Sequence, residues 1–218
     1  MKGSKILWLV FFTLVINGVN VFTQAGGDWT LWTPRSGCRA AIIRYNGNAA
    51  AVDIPATIDG YSITKIGESA FAGNNFITSV TIPNGIEEIE DRAFAGCSRL
   101  VSVTIPNSVK KIETGAFADC VSLAAINIPY GVDKIEDGAF SGCGSLVSVM
   151  IPNSVSKIER GAFADCISLT AITIPRSVEE IEDGAFAGCR SLSSIKILNN
   201  KIKIERGAFA GAPSVRFE

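Results

Sequence analysis

One residue type keeps time along this chain: Phe71, Phe94, Phe117, Phe140, Phe163, Phe186 and Phe209 stand 23 residues apart, each after an alanine. Pro83, Pro106, Pro129, Pro152 and Pro175 keep the same step, as do Cys97, Cys120, Cys143, Cys166 and Cys189. Six consecutive units fill residues 77–214, with the shared pattern L-x-x-V-x-I-P-x-x-V-x-x-I-E-x-G-A-F-x-x-C-x-x. A unit this short carries more apolar positions than it can bury alone. Stacking copies buries each residue against its own equivalent, which is why residue types recur, and it excludes a string of independent domains.

Each recurring position has a physical reading. In the unit from Leu100, Val103 and Ile105 alternate with Ser102 and Thr104, the period of a short strand with one buried face. Pro106 lacks an amide proton and closes that strand, and Pro106-Asn107-Ser108 makes a corner. Val109 and Ile112 bury a return segment. Gly115 then leaves room only for a turn before Ala116 and Phe117 enter the interior. Upstream, Asn46-Gly47 between the apolar runs 40–45 and 49–54 predicts a β-hairpin. A variant first unit follows, with eleven residues from Pro55 to Ile66 where Pro83 to Ile89 takes six, a lengthened corner around Asp59-Gly60-Tyr61-Ser62.

The pattern is similar to leucine-rich repeats. Its proline after the strand, its Ala-Phe pair and its cysteine resemble the BspA-like, treponema-type subclass, over residues 54–214. The resemblance implies a leucine-rich-repeat solenoid: a mainly β, right-handed parallel superhelix of 23-residue coils with short turns or 3-10 segments instead of long helices. The expected divisions are a signal peptide over 1–25, an N-terminal cap with hairpin and variant repeat over 26–76, six repeats over 77–214, and a C-terminal end over 215–218. The resemblance also implies bacterial surface association, attachment to host matrix and plasma proteins such as fibronectin and fibrinogen, and contact between bacteria.

The leader reading rests on the residues themselves. Lys2 and Lys5 precede an apolar run from Ile6 to Ile16, broken by Asn17, Gly18 and Asn20, with small residues near Thr23 and Ala25 for cleavage. The run is shorter than the ~20 residues of a membrane-spanning helix. Export to the periplasm, cell surface or medium follows, with no stable membrane anchor: Cys38 lies too far past the run for lipid attachment. Without the leader, 18 basic residues face 21 acidic ones, a balance of −3. Nucleic acid is therefore a poor partner.

The chain has no histidine, which removes Ser-His-Asp and Cys-His nucleophiles and HExxH zinc sites. No constellation of nucleophile, base and oxyanion donors can be named, and the chain reads as a non-enzyme without cofactor. Five cysteines on a strict period allow three readings: disulfides, a metal site, or a buried ladder of free thiols. Equivalent side chains in a stack point the same way rather than at one another, and no paired CxxC spacing is present, so the ladder of Cys97, Cys120, Cys143, Cys166 and Cys189 is favoured over disulfides and metal. Glu90, Glu113, Glu136, Glu159, Glu182 and Glu205 form an acidic column, with Lys111, Lys134, Lys157 and Lys203 two residues before four of them. Such spacing predicts a solvated face laced by ion pairs, favoured over calcium binding.

Outward positions of the strand face are mostly Ser, Thr and Ala, a smooth surface with few large anchors. Tyr130 and Arg176 interrupt it at the corner held elsewhere by Asn84, Asn107 and Asn153, and Met150 replaces the usual threonine near Asn127. Tyr and Arg are enriched among binding hot spots. Tyr130, Met150, Arg176, Asn127 and Asn153 are the candidate site for a protein partner, such as a host extracellular matrix protein; drift at tolerant turn positions is the competing explanation. Two other functions remain open. One is a self-assembling scaffold, a homo-oligomer through the C-terminal repeat, whose following residues 215–218 look too short to cover it. The other is an apolar ligand pocket at the cap built from Trp29, Trp32 and Tyr61, which otherwise pack over the open end.

Overall fold

The computed structural model describes residues 27–34 and 37–212 in full, and the backbone pairing of 11–16, 19–24 and 216–217. Phe11–Ile16 pairs antiparallel with Val19–Gln24; the basic start of the expected leader lies outside the described residues. From Trp29 onward the chain winds as a β solenoid of about seven coils, and the described residues contain no helix. Each coil contributes to two columns of parallel strands. The face column contains Ala51–Asp53, Ser79–Thr81, Ser102–Thr104, Ala125–Asn127, Ser148–Met150, Ala171–Ile174 and Ser194–Ile197. The return column contains Arg39–Tyr45, Tyr61–Ile66, Glu88–Ile89, Lys111–Ile112, Lys134–Ile135, Lys157–Ile158, Glu180–Ile181 and Lys203–Ile204. Partners sit in the register of the repeat, Val103 beside Val80 and Ile135 beside Ile158.

The third side explains the missing helix. Ala-Phe segments could wind into one, but their amides point along the stack instead. Phe94 N donates to Ala116 O of the next coil at 2.8 Å, and Phe117, Phe140, Phe163 and Phe186 repeat the bond at 2.7–2.8 Å. Ladders in the face and return columns join most neighbouring coils, and the Ala-Phe side joins them from Phe71 to Ala208, with the aromatic rings inside. From Phe71 to Phe209 successive rings lie 4.6–5.6 Å apart and nearly parallel. An offset-stacked pair of this kind contributes about 0.5–1.5 kcal/mol beyond area burial. Tyr45 stacks on Phe71 at 5.1 Å, and Trp29 lies against Tyr45 at 4.7 Å with its ring tilted by 44°, so the cap continues the same aromatic column.

Two turns of the cap trade places relative to the sequence reading. Asn46-Gly47 does not form a hairpin. A two-residue hairpin turn of that composition needs left-handed φ at both central residues, and neither Asn46 nor Gly47 has it. The strands on either side join different sheets, Arg39–Tyr45 pairing with Trp29–Trp32 and Tyr61–Ile66, and Ala51–Asp53 with Ser79–Thr81. Asn46-Gly47 is the corner between them, and Gly47 is small because the Tyr45 ring lies over it: a Cβ there would meet the phenol oxygen at 2.3 Å. The hairpin lies instead in the lengthened corner, where Thr57–Ile58 pairs antiparallel with Tyr61–Ile66 around Asp59 (φ 51°) and Gly60 (φ 84°). At the other end, Arg216–Phe217 adds a parallel strand beside Ser194–Ile197, so the sheet continues where the sequence suggested too short a segment to cover it.

Left-handed residues bracket the Ala-Phe turns from Phe71 to Phe186, and one of these columns shows dependence between coils. It reads Gly73, Gly96, Asp119, Gly142, Asp165, Gly188, Gly211, all with positive φ. A Cβ on Gly142 would lie 2.4 Å from Asp119 Oδ1, and one on Gly188 would lie 2.2 Å from Asp165 Oδ1. Gly73 has open space at the same place. Gly73→Ala is therefore expected to cost only the left-handed penalty of about 1–2 kcal/mol, and Gly142→Ala about 1 kcal/mol more. Urea denaturation of both variants, and of Gly142→Ala combined with Asp119→Gly, checks this: the second change should return the cost to the Gly73→Ala level.

Candidate protein-interaction face

The face column presents Ala51, Ser79, Ser102, Ala125, Ser148, Ala171 and Ser194 on its first outward row, and Asp53, Thr81, Thr104, Asn127, Met150, Thr173 and Lys196 on its second. Between Asp53 and Lys196 these rows carry no charge. Met150 is 66 % exposed and Tyr130 70 %, the two most exposed large apolar side chains among the described residues. Both stand where the repeat pattern places them, Met150 at the end of Ser148–Met150 and Tyr130 at the corner after Pro129.

The structure brings the candidate residues into one continuous strip. A hollow of about 280 Å³ lies between Tyr130 and Met150, with Asn107, Asn127 and Pro152 on its walls. On the other side of Met150 lies a larger depression of about 480 Å³, bounded by Asn127, Asn153, Ala171, Thr173 and Leu198. Leu198 in turn shares a third hollow with Arg176, Asn199 and Asn200. Leu198 is the residue that sequence reasoning missed. It replaces proline in its column just as Met150 replaces threonine, and that departure from the repeat is the signal that could have found it. The first two hollows sit where the parallel ladder lapses: Ala125–Asn127 pairs with Ser148–Met150, while no ladder joins it to Ser102–Thr104, or Ser148–Met150 to Ala171–Ile174.

The cap aromatics are placed differently. Trp29 is taken up by its stack on Tyr45, Tyr61 packs against the core beside the Asp59-Gly60 turn, and Trp32 is half-buried in its strand. The five repeat cysteines are buried and free, and Cys38 is exposed and free. Each buried thiol donates to the carbonyl of the phenylalanine one coil earlier, from Cys97 Sγ to Phe71 O at 3.1 Å through Cys189 Sγ to Phe163 O at 3.2 Å. Asn74 holds the same column in the variant unit and does more: it donates to Gly47 O at 3.2 Å and accepts from the amides of Phe76 and Ile77. Among the described residues no cluster of His, Cys, Asp or Glu could hold a metal ion, and no helix is long and apolar enough to cross a membrane.

The acidic column is an ion-pair lattice. Lys157 bridges Glu180 at 3.2 Å and Glu182 at 2.5 Å, Lys203 bridges Glu180 and Glu205, Lys65 bridges Glu88 and Glu90, and Lys111 pairs with Glu113 at 2.6 Å. Glu182 and Glu205 also accept backbone amides of the preceding coil, from Arg160 and Asp183. The Glu182 and Glu180 carboxylates hold Lys157 above the usual lysine range. Glu136 has no close lysine partner among the described residues, and burial, followed by Glu159, raises its carboxyl above the usual range. This surface spends its charges on itself.

The pattern of a BspA type leucine rich repeat region matches residues 46–170 and 110–216, with six copies. The chain belongs to the BspA-type leucine-rich-repeat family. It is similar to the solved T. pallidum leucine rich repeat protein TpLRR at 34% identity and a TM-score of 0.79, covering 86% of this chain and 89% of that one. A leucine-rich repeat protein from Bacteroides capillosus is 33% identical over 57% of this chain and 94% of its own, with a TM-score of 0.52. One from Bacteroides ovatus is 25% identical over 88% and 70%, with a TM-score of 0.54. No functionally curated protein matches the sequence. Membership of the BspA-type family points to a protein-interaction module rather than an enzyme.

The thiol ladder generates a two-part expectation. Burial pushes Cys97 and Cys189 up to about 12, and Cys120, Cys143 and Cys166 higher still, from an ordinary value of 9.0. Native protein should therefore label rapidly at Cys38 alone, and at all six cysteines in denaturant. Because the unfolded thiols ionise first, their contribution to stability is complete below pH 9.0 and is lost as pH rises through the folded values, about 12 for Cys97 and Cys189. Urea midpoints should fall steeply from pH 9 to 11, and Cys143→Ala should flatten that slope.

Proposed function

We propose that this chain is an exported, non-enzymatic recognition module that binds a protein partner through the strip from Tyr130 across Met150 to Arg176, and that its partners include host extracellular matrix proteins. One observation carries the reading. On a face otherwise built mostly of Ser, Thr and Ala, Met150 and Tyr130, the two most exposed large apolar side chains among the described residues, stand beside concave, largely apolar hollows rather than on a flat surface. Exposed Met and Tyr next to unfilled concavity are what a partner's anchor side chains require. Many charges of the return face are paired within the chain, whereas the central strand face carries none that a partner must desolvate.

Export is supported by Lys2, Lys5 and the apolar run from Ile6 to Ile16. The matrix-protein class comes from the family resemblance and from the size of the face, which extends over seven strands. Binding of the purified chain to immobilised fibronectin, fibrinogen and collagen tests it by surface plasmon resonance. Tyr130→Ser combined with Met150→Ser should weaken binding at least tenfold to whichever of these the wild type captures. Lys111→Glu on the return face should change it less than twofold. Capture of none of the three would remove the matrix reading, and equal binding by the double variant would remove the face. Fractionation of cells expressing the chain with and without residues 2–25 should show export only in the former.

A further inference from the structure

We infer that the strip recognises an extended peptide segment carrying two bulky apolar side chains and a carboxylate at alternate positions, in that order from Tyr130 toward Arg176. This rests on the face assignment above and adds the chemistry of what it reads. The three hollows succeed one another along the strip: Asn127 and Met150 line both the first and the second, and Leu198 both the second and the third. The first is lined by the coils of Asn107, Tyr130 and Pro152, the second mainly by those of Asn127, Met150 and Thr173, and the third by those of Arg176 and Asn199. Parallel coils repeat at roughly 4.8 Å, so hollows displaced by one to one and a half coils step by roughly 5–7 Å. An extended chain advances by roughly 6.6 Å between side chains on one face. Alternate residues of one segment therefore fall into successive hollows.

The chemistry changes along the strip. The hollow at Tyr130 and Met150 is lined by Ile105, Ile128, Pro129 and Pro152, and the next by Ile126, Val149, Ile172 and Leu198; neither contains a charged residue. The third contains the Arg176 guanidinium. The Arg176 side chain makes no ion pair or hydrogen bond among the described residues, and neither does that of Lys196 on the next coil, in contrast to the lysines of the return face. Two unspent cations at one end of an uncharged apolar strip complement a single carboxylate following two apolar groups. Asn107, Asn127 and Asn153 border the first two hollows with side-chain amides that have no partner among the described residues. A segment lying across the strands offers its main-chain carbonyls and amides, which such side chains can satisfy.

The test uses the full chain and fluorescein-labelled peptides with blocked ends. The probe contains Leu-Ser-Leu-Ser-Glu within a Gly-Ser context; one control replaces Glu by Lys, another both Leu by Ser. Fluorescence anisotropy should show the Glu probe binding at least tenfold tighter than either control. Arg176→Glu should invert the preference between Glu and Lys probes, and Arg176→Gln should abolish it. Met150→Lys should weaken the Glu probe at least tenfold. These side chains are exposed, and matched thermal unfolding of the variants confirms that the fold is intact. No saturable binding, or a Glu-over-Lys preference that survives Arg176→Glu, overturns the inference. So does a dimer in sedimentation that Met150→Lys dissociates, which assigns the strip to a second copy of the chain. If matrix-protein binding depends on Tyr130 and Met150 while the peptides fail, the face assignment stands and the peptide reading falls.

Discussion

A single coil of this protein cannot fold, because its apolar side chains outnumber what 23 residues can enclose. Burial comes only from the coil above and the coil below. Phe117 is enclosed by Phe94 and Phe140, and its amide and the carbonyl of Ala116 are each bonded to a different neighbour. Side-chain stacking and main-chain bonding are thus the same contact viewed twice, and both demand that equivalent residues lie in register. The aromatic column shows how strictly this holds, with interplanar angles of 2° to 10° from Phe94 to Phe209. The cap obeys the same demand with different residues, since Tyr45 and Trp29 offer rings to a column that has run out of phenylalanines.

Stacking like on like is favourable for apolar groups and unfavourable for charges, and the two long faces resolve this differently. On the return face, Lys65 faces Glu88, Lys157 faces Glu180, and Glu180 faces Lys203, so alternation of sign along the axis turns repulsion into attraction. The run Lys111, Lys134, Lys157 is where the alternation fails. The strand face avoids the problem by carrying no charge between Asp53 and Lys196. That neutrality is what makes the unpaired Arg176 and Lys196 conspicuous, and it leaves Met150 and Tyr130 without polar competitors for an apolar partner.

The parts of the fold that depend on repetition were legible, and those that depend on a single local conformation were not. Phe71 to Phe209, the prolines and the alternating strand residues locate every coil, because each is stated seven or nearly seven times. The two-residue return strands such as Lys111–Ile112 were seen only as a buried segment, since two residues show no periodicity. Asn46-Gly47 and Asp59-Gly60 both carry hairpin composition, and only backbone angles distinguish them; the ring of Tyr45, not a turn, explains Gly47. For the candidate site, departures from the repeat pointed to Tyr130, Met150 and Arg176. The hollows between them could not be read, because they arise where neighbouring ladders lapse, a property of spacing between coils rather than of any residue within one.

The pairing of Asp119 with Gly142 and Asp165 with Gly188 extends beyond stability. Units so alike invite unequal recombination between their coding segments, and most columns would tolerate a shorter or longer array. In this column the outcome depends on which coil is lost: loss of the one coil bearing Gly142 sets Asp165 against Asp119, whereas its loss together with a neighbour leaves an aspartate against a glycine. Between Asp119 and Gly188 the array therefore has an evolutionary grain of two turns, finer than the domain and coarser than the repeat.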